Sequence, residues 1–197
     1  MADAYAKGHA VASKRVWPPY TRKLMVRGFI LSLIPIVALA VVLQLHQLVY
    51  LDYVHVITGA TWTGFDIFMG VIFSTVMRYV EPSAKAEIAK RLTPSMLFIM
   101  PSISATATTA GYFLATRMGI FNLSHPVFIA SGIIIVILFI QGLGIFLPNE
   151  VRSFLEIIKE EPDFRKVVRL TTLNMKLGGV QAIFQIALIF VMAMIAF

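Results

Sequence analysis

Five apolar stretches govern what this chain can become: Gly28 to His46, Tyr53 to Val80, Pro94 to Thr116, His125 to Leu147 and Met175 to Phe197. Each is near or above the roughly 20 residues that a hydrocarbon core of about 30 Å requires of a crossing helix. Lipid supplies no hydrogen-bond partners to a bare backbone, so an open chain crosses it as helices. The predicted fold is therefore all-α: a polytopic integral membrane protein with a five-helix transmembrane domain over 28–197, preceded by a basic segment over 1–27. Composition agrees, because 14% charged and 58% hydrophobic residues stand far from the roughly 25% charge of a soluble domain.

Basic residues set the expected orientation. Of the 17 lysines and arginines all but Arg117 fall in three places: the amino-terminal segment, the loop after the second span (Arg78, Lys85, Lys90, Arg91) and the stretch before the fifth (Arg152 to Lys176). Those places alternate across five spans, so the positive-inside rule puts the amino terminus in the cytoplasm and the carboxyl terminus outside. The net charge of +7 then reports topology and anionic lipid contact, and no nucleic-acid motif accompanies it. The initial segment has no apolar core of its own, which argues against a cleaved signal peptide. With no cysteine, disulfides and thiolate metal sites are excluded.

Local punctuation refines the boundaries. Thr93-Pro94 and Ser124-His125-Pro126 read as helix starts, each with a capping hydroxyl and a proline in the first turn. Pro35 and Pro101 lie inside spans and should kink them. The charged, partly apolar segments from Glu81 to Leu92 and from Asn149 to Glu161 read as helices lying along the membrane surface. Ser102, Thr106 and Ala110 recur at helical spacing as a small-residue face for close packing. The methionines are dispersed and read as packing.

The second span carries the chemistry. An ionisable group inside lipid costs roughly 2.5 kcal/mol or more, so Asp66 needs a partner or a task. On a helix His55, Gly59, Trp62 and Asp66 fall close to one line, which presents an imidazole, a gap, a flat aromatic and an acid. Counted inward, Asp66 shares a depth with Gln185, while Gln141 and Gln181 lie slightly lower. Asp66 is the candidate for proton transfer, or else a neutral helix fastener.

His46, His55 and His125 all fall at the predicted outer surface, and two imidazoles from different helices at one depth suit a haem iron or copper. In the haem reading His55 and His125 are the ligands, Gly59 makes room, Trp62 lines the ring and Arg117 neutralises a propionate. Met118 is an alternative ligand. In the copper reading His46, His55 and His125 act with Met118. A third reading is a subunit without cofactor, whose polar groups only fasten helices.

His55, six intervening residues and Trp62-Thr63-Gly64, then Lys90-Arg91-Leu92, Met100-Pro101 and a span ending near Gly111, resemble the membrane superfamily that contains the HemJ-type protoporphyrinogen oxidase and the CopD-type copper-resistance proteins. The resemblance covers Tyr53 to the end, with one additional helix before it. It implies a haem ligand at His55 and, in the oxidase group, a haem-dependent oxidoreductase activity. That group has a functional lysine at the opening of the third matched span, where this chain has His125. The expectation is thus a multi-pass protein of the cell membrane that binds haem b, with copper as the alternative. It would exchange electrons with a quinone or another membrane redox partner, as a subunit or accessory of a larger complex or as a homo-oligomer.

Overall fold

The computed structural model describes residues 15–196. Among them five helices are long and apolar enough to cross a membrane, so the chain is an all-α, multi-pass membrane protein. They are α1 (Pro19–Leu45), α2 (Leu48–Tyr79), α3 (Pro82–Arg117), α4 (Pro126–Ile157) and α5 (Phe164–Ala196). The expected basic segment is only partly described: Lys7, His9 and Lys14 lie outside these residues, and α1 begins well before Gly28. The end of the bundle that carries Arg78, Lys85 and the loop after Ile157 is called the basic end below, and the opposite end, with His46 and His125, the histidine end.

Several boundaries differ from the sequence expectation: α2 begins at Leu48 and α5 at Phe164, ahead of the expected Tyr53 and Met175. Glu81 to Leu92 is not a separate surface helix: α3 starts at Pro82 and runs 36 residues, with Pro94 in its interior and fully buried. Likewise α4 continues through Asn149 to Ile157. The reason is the partner that each apolar face finds. Ala89 of α3, Ile157 of α4 and Val167 of α5 bury one another in a small core at the basic end, so these extensions stand upright on each other where lipid contact had been expected. Around that core Glu156 pairs with Lys159 and Lys166, each at 2.9 Å. The chain entering α1 is tied to the same place, where the Val16 N–H donates to the Ile158 carbonyl and Trp17 meets Phe154 edge to face.

The small-residue face of α3 packs as expected. Ser95 donates to the Leu24 carbonyl, Ser102 donates to the Ser32 carbonyl, and Gly28 lies so close to Ser95 that a methyl there would stand 2.7 Å from its Cα. Close backbone approach of this kind is how membrane helices associate when lipid is as apolar as leucine. Toward the histidine end Ala110 is fully buried with Val42, Leu51 and Val54. Helices α1, α2 and α3 thus form one tight layer.

The second layer is α5 with α4. α5 also touches α2 at a closest approach made of glycine: a Cβ on Gly70 would stand 2.1 Å from the Gly179 nitrogen. Two of the helices that face the space between the layers carry a π-helical segment, Phe68–Phe73 in α2 and Gly142–Phe146 in α4. Such widened turns recur at functional sites because they re-aim side chains and loosen the backbone ladder.

Candidate functional site

A cavity of about 440 Å3 is bounded by α2, α3, α4 and α5. Helix α3 meets α4 along the stretch from Leu147 to Ile157. Nearer the histidine end Ala105, Thr108 and Thr109 on one side and Phe139 on the other are exposed at its rim. The cavity therefore opens sideways between α3 and α4, toward lipid. Its walls are mostly apolar, with Trp62 and Phe65 of α2 and flexible methionines from three helices, Met69, Met96, Met100 and Met175. These thioether chains let a wall adapt to a guest.

Asp66 faces this space. Gln185 donates to its Oδ2 at 2.8 Å, and its Oδ1 lies beside Gly178, 3.6 Å from where a Cβ there would stand, an ordinary contact. The sequence expectation of a shared depth for Asp66 and Gln185 is thereby realised as a hydrogen bond. Gln181 also lines the cavity and is 2% exposed, with its Oε1 unpartnered. Gln141 does not join the wall, and its Oε1 is likewise without a partner.

Toward the basic end stands a second polar group that the sequence reading missed. Asn174 of α5 donates to Glu150 at 3.1 Å and to the Phe146 carbonyl at 3.2 Å, and accepts from Asn149 at 2.9 Å. Glu150 lines the cavity with its Oε2 unpartnered, as does Thr171 with its hydroxyl. The signal was present in Asn149-Glu150, an uncharged amide and an acid directly after an apolar span. Assigning that segment to the membrane surface hid it.

The histidines have different surroundings. His55 turns into α3: its Nδ1 lies 2.9 Å from the Ala107 carbonyl, and its ring fills the notch of Gly111, where a Cβ would stand 2.6 Å from Cε1. Gly59, expected to make that room, has nothing within 4 Å. His125 is the N-cap of α4, its Nδ1 accepting from the Val127 N–H at 3.4 Å. The cap is the imidazole, whereas a Ser124 hydroxyl had been one of the residues expected there. His46 ends α1 in the left-handed conformation, φ 57°, and is exposed. Arg117 donates to the Leu43 carbonyl at 2.8 Å and so caps the last turn of α1, a favourable place for a cation. Met118 is exposed at the end of α3. Among the described residues no three His, Asp or Glu side chains converge as a metal site would require.

Of the predicted site residues the fold thus brings Trp62 and Asp66 to one cavity and sets His55 on the same helix toward the histidine end. Among the described residues His46, His55 and His125 do not converge as a group of three. No family model matches the chain, and neither the curated proteins nor the solved structures searched contain a match to it.

Proposed function

We propose that this chain is a haem-binding electron-transfer protein of the cell membrane, linked to the quinone pool, with its amino terminus in the cytoplasm. The observation that carries the reading is the setting of His55. When Nδ1–H donates to the Ala107 carbonyl, Nε2 is left with its lone pair free, and the Gly111 notch fixes the ring plane. An imidazole oriented by a backbone carbonyl through one nitrogen is how metal-bound histidines are held and made more basic.

The residues present fit one axial ligand. His125 keeps its Nε2 available, but α4 packs on α5 and, near the basic end, on α3, so nothing in that packing draws it toward His55. Arg117 gives its Nη2 to the Leu43 carbonyl, and its buried Nη1 has no partner. Haem held by His55 would supply a one-electron carrier; the chain orients the ligand through the Ala107 carbonyl and the Gly111 notch. Copper held jointly by His46, His55, His125 and Met118 has no corresponding geometry in its favour.

Visible spectroscopy of the purified protein tests the proposal. The expected result is a Soret band with a high-spin, five-coordinate signature that disappears in His55→Ala and persists in His125→Ala. Haem content unchanged by His55→Ala overturns the assignment, and stoichiometric copper without a Soret band replaces it by the copper reading.

A further inference from the structure

We infer that the intramembrane cavity is a binding site for a lipid-soluble para-quinol, taken in its reduced, hydroxyl-bearing form. The inference deepens the reading of a quinone-linked carrier and rests on it for the partner class, but it stands on the cavity and not on haem. Three observations meet there.

The first is access. The opening between α3 and α4 lets an amphiphile enter from the bilayer, and the apolar, methionine-rich wall accepts a ring without fixing its outline. The second is what the buried walls lack. Gln181, 2% exposed, lines the cavity and leaves its amide oxygen without a partner, and the Glu150 Oε2 and the Thr171 hydroxyl of the same wall are also unpartnered. A buried polar atom left without a partner costs about as much as a lost hydrogen bond or more. The amide oxygen of Gln181 can only accept, so it calls for a donor. A quinol brings two O–H donors, whereas the oxidised quinone brings only carbonyl acceptors.

The third is spacing. Gln181 and Asn174, which holds Glu150, are seven residues apart on α5, a rise of about 10.5 Å along the helix axis at roughly 1.5 Å per residue. A para-disubstituted six-membered ring with a hydrogen bond of about 2.7 Å at each end spans a similar length. One hydroxyl then meets the oxygens of Asp66 and Gln181, and the other meets Glu150. The ring lies between them against Trp62 and the methionines.

The experiment uses the full-length protein in lipid nanodiscs under anaerobic conditions, with a decyl-tailed benzoquinol or the matching benzoquinone. Bound ligand is extracted and counted against empty discs. The expected result is about tenfold tighter retention of quinol than of quinone by the wild-type protein, with Gln181→Leu removing most of that preference by weakening the quinol alone. Equal retention of both forms by the wild type overturns the proposal and assigns the unpartnered oxygens to water. A loss of both ligands in equal measure in a folded Gln181→Leu protein overturns the role of the amide. Should that variant not fold, the wild-type ratio still decides. Haem is assayed in the same preparations: quinol preference without haem refutes only the haem assignment, and haem without quinol preference refutes only the cavity assignment.

Discussion

Gly70→Ala is the sharpest perturbation that the fold offers. A Cβ at Gly70 would stand 2.1 Å from the Gly179 nitrogen, 2.3 Å from its Cα and 2.9 Å from the Gly178 carbonyl carbon. All three are backbone atoms, so no side chain can swing aside. To reach an ordinary separation of about 3.5 Å the two helices must part by roughly 1.4 Å. That shift carries Gln185 away from Asp66, whose present 2.8 Å bond would pass beyond hydrogen-bond range. Overpacking costs roughly 1–3 kcal/mol and the lost intramembrane hydrogen bond about 0.6 kcal/mol, so the sum is about 2–4 kcal/mol. At about 2–4 °C per kcal/mol for a chain of this size, the midpoint of thermal unfolding in detergent should fall by roughly 4–16 °C, read by size-exclusion after heating. Gly59→Ala is the matched control. Nothing lies within 4 Å of Gly59, and alanine is the better helix former by about 0.8–1.0 kcal/mol, so that variant should melt no lower than wild type. A Gly70→Ala protein that melts with Gly59→Ala would refute the α2–α5 crossing, because adjustments of a few tenths of an ångström do not relieve a backbone overlap.

Two further outcomes follow from the same geometry. Gly111→Ala places a methyl 2.6 Å from Cε1 of His55 and should displace the imidazole from the Ala107 carbonyl, altering the Soret band where Gly59→Ala does not; equal spectra in the two variants would contradict the notch. Tags inserted between His46 and Gln47, in the turn between α1 and α2, should be reachable from outside intact cells and tags near Lys85 or Glu160 should not, while the reverse labelling would put His55 near the cytoplasmic surface.

What was legible in the sequence follows the physics of each signal. Five spans could be read because twenty apolar residues in lipid have one solution. The close face of Ser102, Thr106 and Ala110 could be read because small residues at helical spacing have few other uses in a membrane. The Asp66–Gln185 pairing was within reach of depth counting alone. Helix ends were harder. Pro94 with Thr93 before it has the local chemistry of a start, and only the tertiary burial of Ala89 against Ile157 and Val167 shows that the helix passes through. The glycines illustrate the same limit. Gly59 shares a line with His55 on α2, so it suggested room, yet the room is supplied across the interface by Gly111. Gly70 and the Gly178-Gly179 pair make the closest helix contact, and nothing within α2 or α5 alone says which glycines face each other. The histidines were grouped by depth, but depth fixes one coordinate of three. His125 was drawn to its own helix terminus and His55 to α3.

The balance at Asp66 decides whether that residue fastens helices or serves the cavity. A carboxylate near the centre of a span costs roughly 2.5–3.5 kcal/mol on insertion scales. A side-chain hydrogen bond between membrane helices returns about 0.6 kcal/mol on average and about 1.7 at most, and Gln185 supplies one. Fastening alone therefore leaves a deficit of about 1–3 kcal/mol, which a purely structural position has no reason to carry; residues that lower stability are retained where function needs them. Asp66→Asn removes the ionisable group while its amide oxygen still accepts from Gln185. The variant should melt at the wild-type temperature or up to about 5 °C higher, and it should lose most of its preference for quinol over quinone. If its melting temperature falls while the preference is intact, the carboxyl is a structural fastener, and the acid at the cavity wall has no part in recognising the ligand.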